Sequence, residues 1–316
     1  MRGNIRLSLE EIAIILRNNG FELTINNEQD IIPTHLRHFT EIDRNCLSFY
    51  TEKDAILLNS SEKFVLICSP ETRNIPRNVT YISTKEPKAA FYCIAQSFKN
   101  QSRLNGIHHS SVVSSDSKVD PTAYIGPFCY LENCEIKAGV VLTSSITVYS
   151  DTIIGMGTIV NSNTTIGVDG SMWAWGPNNK KIYMPSFRNT IIGDECIIGS
   201  NVTIARGSLE DTIIGKGCNI GHGSNIGHDC KIGKQTHLAN GIAMGGGVNI
   251  GKRCFIGSGA CFKPTVQITD DIIVGIGSVV TKNCDQVESV LFGYPAKPLK
   301  PLNIYSHLSG LPQYKK

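Results

Sequence analysis

From Ile214 to Val280 the chain reads IGKGCNIGHGSNIGHDCKIGKQTHLANGIAMGGGVNIGKRCFIGSGACFKPTVQITDDIIVGIGSVV. Every sixth residue is large and apolar: Ile214, Ile220, Ile226, Ile232, Leu238, Met244, Ile250, Ile256, Phe262, Ile268, Val274 and Val280. A period of six suits neither the 3.6-residue turn of an α-helix nor the two-residue alternation of an ordinary strand. It suits a parallel β-helix, in which each hexapeptide forms one flat face and three faces close a triangular coil. The aliphatic side chain then points inward and stacks on its equivalents one coil above and below, so stability comes mostly from nearest-neighbour stacking. Gly follows the aliphatic residue at Gly215, Gly221, Gly227, Gly233, Gly251, Gly257 and Gly275, which suits tight corners.

The same period runs upstream, from Ile107 to Leu131, then one residue out of phase from Ile136 to Ile166, and again from Ile192 to Ile204. Two interruptions stand out. Between Ile166 and Ile192 the segment VDGSMWAWGPNNKKIYMPSFRNTI must leave the coil as a loop, and it holds both tryptophans. Between Ile204 and Ile214 the phase slips by four across ARGSLEDT. Long excursions from a rigid solenoid are where ligand contacts are usually built.

The repeat also accounts for the cysteines, which number eleven and include no CxxC pair. Two residues before the inward aliphatic there is little room, and Cys129, Cys134, Cys196, Cys218, Cys230 and Cys254 occupy that slot, as do Ser224, Thr236, Ala260 and Ser278. They read as packed thiols of a reducing compartment, so a cytoplasmic location is expected.

Composition bounds the remainder. Of 316 residues, 41% are hydrophobic and 18% charged, which excludes intrinsic disorder. A net charge of +3, with no basic cluster longer than Lys315-Lys316, argues against a nucleic-acid partner. No apolar run approaches the ~20 residues of a membrane span, and no signal peptide is expected. Before Ile107 the period is absent. Ser8 with Glu11 is a capping box for a helix from Leu9 to Asn18 stopped by Gly20, FVLIC (64–68) and VTYIS (79–83) read as strands, and Pro87 opens a helix to Phe98. The expected fold is therefore mainly β, with a small α/β domain over residues 1–105, a parallel β-helix over 106–284 and a tail over 285–316.

His222, His228 and His237 fall within one coil. At eighteen residues per coil, His228 has Gly246 on one side and Glu210 on the other. A neutral imidazole there can take a proton from an attacking amine or hydroxyl, Glu210 can orient it, and a backbone N–H near Gly246 can hold an oxyanion. The bland alternative is an exposed solenoid histidine.

These residues resemble a family. From Ile107 onward the chain is similar to the hexapeptide-repeat acyltransferases, left-handed parallel β-helices that work as trimers with active sites between subunits. It is most similar to those that N-acylate UDP-3-O-acylglucosamine in lipid A synthesis. The resemblance rests on IRLSLEEIAIIL, LSFYTEKDA, IGVDG, IIGDECIIGSNVTIARGSLEDTIIGKG, NIGHDCKIG and GIAMGGGVNIG. It implies that His228 is the general base and that Gly246 supplies the oxyanion N–H.

It further implies a nucleotide-binding N-terminal domain that reads a base between two aromatics. Phe49 matches the first, the second position is Ala55, and Tyr50 is the candidate substitute. His222, Asn240, Trp173 and Trp175 complete the expected substrate-binding set. A second family histidine falls on Thr265, and the family's long C-terminal helix is replaced by VGIGSVVTKNCDQVESVLFGYPAKPLKP. That ending resembles coenzyme A-dependent sugar acetyltransferases, with Gly275, Lys282, Pro295 and Lys297 as the coenzyme A edge.

The leading expectation is accordingly a homotrimeric N-acyltransferase that moves a short acyl group from a coenzyme A thioester, its co-substrate, to a nucleotide-linked amino sugar of a surface polysaccharide, with no permanently bound cofactor or metal. The alternative is the lipid A enzyme itself, fed by 3-hydroxyacyl carrier protein. A γ-carbonic anhydrase-like metal enzyme and a non-catalytic sugar-nucleotide binder are further readings.

Overall fold

The structure, a computed structural model, describes residues 6–26, 31–51, 62–76, 79–97, 105–287 and 289–299. Ala55, the expected helix end at Phe98 and the tail beyond 299 lie outside the described residues. The chain divides into two compact units, Met1–Arg103 and Leu104–Lys316.

In the first unit, α1 (Leu9–Asn18) begins on the expected capping box: the Glu11 N–H donates to Ser8 Oγ at 3.2 Å and the Ser8 N–H to Glu11 Oε2 at 2.7 Å. Its buried stripe is Leu9, Ile12, Ala13 and Leu16. After β1 (Leu23–Asn26), β2 (His35–Leu36), β3 (Cys46–Tyr50), β4 (Val65–Cys68) and β5 (Thr80–Thr84) comes α2 (Pro87–Ser97). The strands form one sheet in the order β1-β5-β4-β3-β2, parallel except for β1. Because successive side chains on a strand point to opposite faces, β3 splits its residues between two cores. Leu47 and Phe49 join the helices through Ile12, Leu16, Phe91 and Ile94, whereas Cys46 and Tyr50 join Phe64, Leu66 and Phe39 on the other side.

The second unit is the solenoid that the six-residue period demands. Three sheets of parallel two- to four-residue strands run its length. Strand Asn219–Ile220 lies on the first face, Asn225–Ile226 on the second and Lys231–Ile232 on the third. Ile226 pairs with Met244 and Met244 with Phe262, the expected eighteen-residue step. The inward row is dry: Ile214, Ile220, Leu238, Ile256 and Val274 are 0% exposed. Each contributes about 1.5–3 kcal/mol of burial.

The slot two residues before each aliphatic is not confined to small residues, as the spacing suggests: Val140, Ile146, Val202, Ile242, Val248, Val266 and Ile272 fill it in other coils, all buried. Cys196, Cys218, Cys230 and Cys254 donate from Sγ to the carbonyls of Gly215, Gly233, Gly245 and Thr269, at 3.2, 3.0, 3.2 and 3.3 Å. Thr236 Oγ1 does the same to Gly251 O at 2.8 Å. Each acceptor is a corner carbonyl one coil on, which turning the corner removes from the sheet ladder and which cannot be left unpaired inside the protein. Where the slot holds one of these Cys or Thr residues, it supplies the donor for that carbonyl. Burial pushes the Cys218 thiol up to about 12 and Cys230 and Cys254 to about 11, so these thiols remain protonated and donating.

The two interruptions lie in successive coils at the same edge. Ile204 pairs with Ile166, 38 residues earlier, because 167–189 leaves the coil; Ile226 pairs with Ile204, 22 residues earlier, because 205–211 bulges. The first excursion carries an antiparallel hairpin, Trp173–Trp175 against Lys181–Tyr183.

Candidate functional site

The edge between the second and third faces carries, coil after coil, the hairpin excursion, the 205–211 bulge, Gly227-His228-Asp229, Gly245-Gly246-Gly247, Lys263-Pro264-Thr265 and Thr281-Lys282-Asn283. His228 is enclosed on three sides. Its Nδ1 lies 2.7 Å from Asp229 Oδ2. A methyl placed on Gly246 would overlap Nε2 and Cε1, and one placed on Gly170, at the root of the hairpin excursion, would sit 2.8 Å from His228 Cβ. The imidazole thus lies flat on one bare glycine and is backed by another, which only residues lacking Cβ permit.

The carboxylate bonded to His228 is Asp229, not the expected Glu210. Counting eighteen residues back from His228 fails because the bulge adds four to that coil. The Glu210 side chain reaches Lys231 Nζ instead. Asp229 and His228 are partly buried, their side chains 18% and 21% exposed. Burial pushes the Asp229 carboxyl up, but hydrogen bonds from His228 and from the Ser208 and Glu210 amides outweigh it and hold its pKa below the usual carboxylate value. Asp229 is therefore an ionised acceptor at neutral pH, a partner that places the imidazole proton on Nδ1 and leaves Nε2, beside Gly246, unprotonated.

At four other corners the N–H of the second corner residue is taken by a side chain one coil on, whereas among the described residues those of Lys216, Lys234, Asn240 and Ser258 donate to none. Met156 donates to Asp194 Oδ1 at 2.9 Å, Ser200 to His222 Nδ1 at 2.8 Å, His222 to Asn240 Oδ1 at 2.9 Å and Lys252 to Asp270 Oδ1 at 2.8 Å. At the His228 edge that chain stops. The residue stacked on His228 is Gly246, and the residue stacked on Gly246 is Pro264; neither offers a side-chain acceptor. Among the described residues the Gly246 N–H donates to no hydrogen bond.

The remaining expected residues scatter. His222 and Asn240 share the edge between the first and second faces, one face away from His228. His237 stacks on Phe255 at 5.2 Å and an interplanar angle of 2°, so the three histidines have separate surroundings. Trp173 and Trp175 meet edge to face at 5.1 Å, with Lys181 Nζ 4.3 Å over Trp173, and remain 44% and 63% exposed. Phe49 lies 4.8 Å from Phe91 and 6.2 Å from Tyr92. Tyr50 is 2% exposed in the core on the other face of the sheet, against Phe39 at 5.4 Å, so it cannot close on the same ligand ring as Phe49.

The coenzyme A set is also divided. Lys282 sits on the His228 edge, Gly275 sits on the His222 edge beneath Phe292, and Pro295 and Lys297 belong to a terminal hairpin paired onto the first face. Asp229, Gly170 and the 207–210 bulge are functional candidates that residue spacing missed. Their sequence signals were the four-residue slip and the segments IGVDG and NIGHDCKIG, which hold Gly170 and Asp229.

A family profile described as "Hexapeptide repeat of succinyl-transferase" matches residues 189–207 and 247–282. A Coxiella burnetii protein named UDP-3-O-acylglucosamine N-acyltransferase is 30% identical over 259 residues, covering 75% of this chain and 73% of that protein. One of the same name from Polynucleobacter asymbioticus is 30% identical over 200 residues, and there the chain spans only 56% of its relative's length. The crystal structure of UDP-N-acetylglucosamine O-acyltransferase from Moraxella catarrhalis superposes with a TM-score of 0.56 at 26% identity, over 61% of this chain and 73% of that one.

Proposed function

Because the chain belongs to the hexapeptide-repeat acyltransferases, within the family named for UDP-3-O-acylglucosamine N-acylation, we propose that it transfers an acyl group from an acyl carrier protein thioester to the amine of a UDP-linked, 3-O-acylated glucosamine. The observation that carries the reading is His228, hydrogen-bonded through Nδ1 to Asp229 with Nε2 over the bare Gly246.

The amine nitrogen attacks the thioester carbonyl carbon, and Nε2 accepts the proton that the nitrogen sheds. The carbonyl oxygen gathers negative charge and is met by the Gly246 N–H. Collapse breaks the C–S bond, the thiolate leaves with the proton returned by His228, and the product is an amide.

Short-chain transfer from coenzyme A retains one supporting observation, the position of Lys282. Purified protein supplied with UDP-3-O-acylglucosamine and either 3-hydroxyacyl carrier protein or acyl-CoA of two to sixteen carbons decides between donors by product mass. Turnover with the carrier protein is expected to exceed that with any coenzyme A ester by about tenfold or more, the scale of a donor-specific contact. Turnover confined to acetyl-CoA overturns the donor assignment.

The reading includes a homotrimer. His222 and Asn240 occupy one edge and His228 another, so one copy brings them together only by presenting its His222 edge to a neighbour's His228 edge. The exposed hairpin (Trp173, Trp175, Ile182, Tyr183) offers apolar surface for such contact. Light scattering is expected to give three times the 34.5 kDa chain mass at micromolar concentration. A monomer showing full activity contradicts it.

A further inference from the structure

The bulge at 205–211 has a defined interior. The N–H groups of Ser208, Leu209 and Glu210 all converge on Asp229 Oδ1, at 2.6, 3.2 and 3.2 Å. Three successive amides aimed at one oxygen form an anion-binding nest, and the oxygen they hold is not the one that meets His228, which is Oδ2. A regular eighteen-residue coil has no spare backbone for this. We infer that the four-residue slip is a positioning device for the reaction: it fixes Asp229 as an oriented, ionised acceptor and thereby sets which nitrogen of His228 carries the proton. The inference rests on the role of His228 in the proposed function.

The nest is braced from both sides. The hairpin excursion returns alongside it, with Arg188 N–H donating to Gly207 O at 2.9 Å, Gly207 N–H to Asn189 O at 3.3 Å and Arg188 Nε to Leu209 O at 3.1 Å. Arg206 Nε donates to Arg188 O at 3.0 Å, and its Nη2 lies 2.7 Å from Asp151 Oδ2. Asp211 Oδ1 accepts from Asn189 N–H at 3.0 Å. The two interruptions of the repeat therefore form one unit, built around a single carboxylate oxygen.

Gly207 is the residue the turn cannot replace. Its φ is not in the left-handed region, so backbone conformation does not demand glycine there. What demands it is space: a Cβ would overlap Glu210 O and lie 2.8 Å from Glu210 C and 2.9 Å from Arg188 Cβ. Gly207→Ala must open the turn that carries the three amides. It acts on His228 only through Asp229, so Gly207 is a positioning residue.

The test uses the full-length protein with 15N-labelled histidine, comparing wild type, Gly207→Ala and Asp229→Asn, with the His228 signals assigned by their loss in His228→Ala. Wild type is expected to show neutral His228 protonated on Nδ1. In Asp229→Asn the nest continues to bind the amide oxygen, so the amide NH2 faces His228 Nδ1 and the proton moves to Nε2. That variant is expected to lose kcat by about a hundredfold to ten-thousandfold, as when a catalytic imidazole is held in the wrong tautomer, with KM for the nucleotide sugar unchanged. Gly207→Ala is expected to show a mixture of tautomers and about a tenfold to hundredfold lower kcat, the cost of slight misplacement. A wild-type tautomer in both variants overturns the positioning role, whatever the activity. The expected tautomers with no acyl transfer from any donor leave positioning standing and reject the proposed reaction.

Discussion

His228→Ala is expected to lower kcat for acyl transfer by about a hundredfold to ten-thousandfold, the usual cost of losing a general base. The fold should survive, because the side chain is at a corner, outside the inward aliphatic row, and the backbone bond from Gly247 N–H to His228 O at 2.8 Å needs no imidazole. Nucleotide-sugar affinity should also survive, and a melting temperature within a few degrees of wild type would establish that the loss is chemical. No neighbouring group on the same edge replaces the imidazole: Asp229 is held ionised by the nest and Lys282 lies three coils along. Retention of more than about a third of the rate would assign the proton to another residue.

Gly246→Ala should be nearly as damaging, for a different reason. The added methyl overlaps Nε2 and Cε1 of His228, and the ring has nowhere to retreat, since Gly170 closes its other side and Asp229 holds Nδ1 at 2.7 Å. The imidazole must swing away from the reacting atoms, and a displacement of about 1 Å already costs about a hundredfold. The expected result is a kcat at least a hundredfold down with little change in sugar-nucleotide binding. Gly223→Ala separates this from a general intolerance of alanine. Gly223 also occupies a corner, with φ +68° and nothing within 4 Å of the added methyl. It should therefore cost about 1–2 kcal/mol of stability, for a left-handed alanine, and no activity.

What could be read before the structure follows from which interactions are local or periodic. The inward row from Ile214 to Val280 was legible because each coil repeats the same packing problem. The Ser8 and Glu11 cap was legible because it closes within four residues. His228 and Gly246 were legible because the eighteen-residue step is unbroken on that side.

Legibility ended where the period broke. The eighteen-residue count that points to Glu210 is invalidated by four bulged residues, and Asp229, a corner residue, lies outside what the inward-facing period reports. Tyr50 was offered beside Phe49 without regard to the alternation of β3, which buries the two on opposite faces of the sheet. The coenzyme A set follows from the resemblance of the ending to coenzyme A-dependent sugar acetyltransferases, whereas the solenoid carries its members to different edges.

The most direct test of the account is the chemical nature of the bond formed. UDP-3-O-acylglucosamine labelled with 15N at the amine is incubated with 3-hydroxyacyl carrier protein and either the wild-type protein or His228→Ala, and the nucleotide product is analysed by NMR and mild hydroxylamine treatment. The expected wild-type product keeps its newly added acyl group through hydroxylamine treatment, which strips only the 3-O-acyl ester already present in the substrate, and shows the one-bond 15N–H signal of an amide, formed one-for-one with released carrier thiol; no such product is expected above background on the same timescale from His228→Ala. A newly added acyl group that hydroxylamine removes, with the amine left free, or an amide formed equally fast by both proteins, would contradict the account.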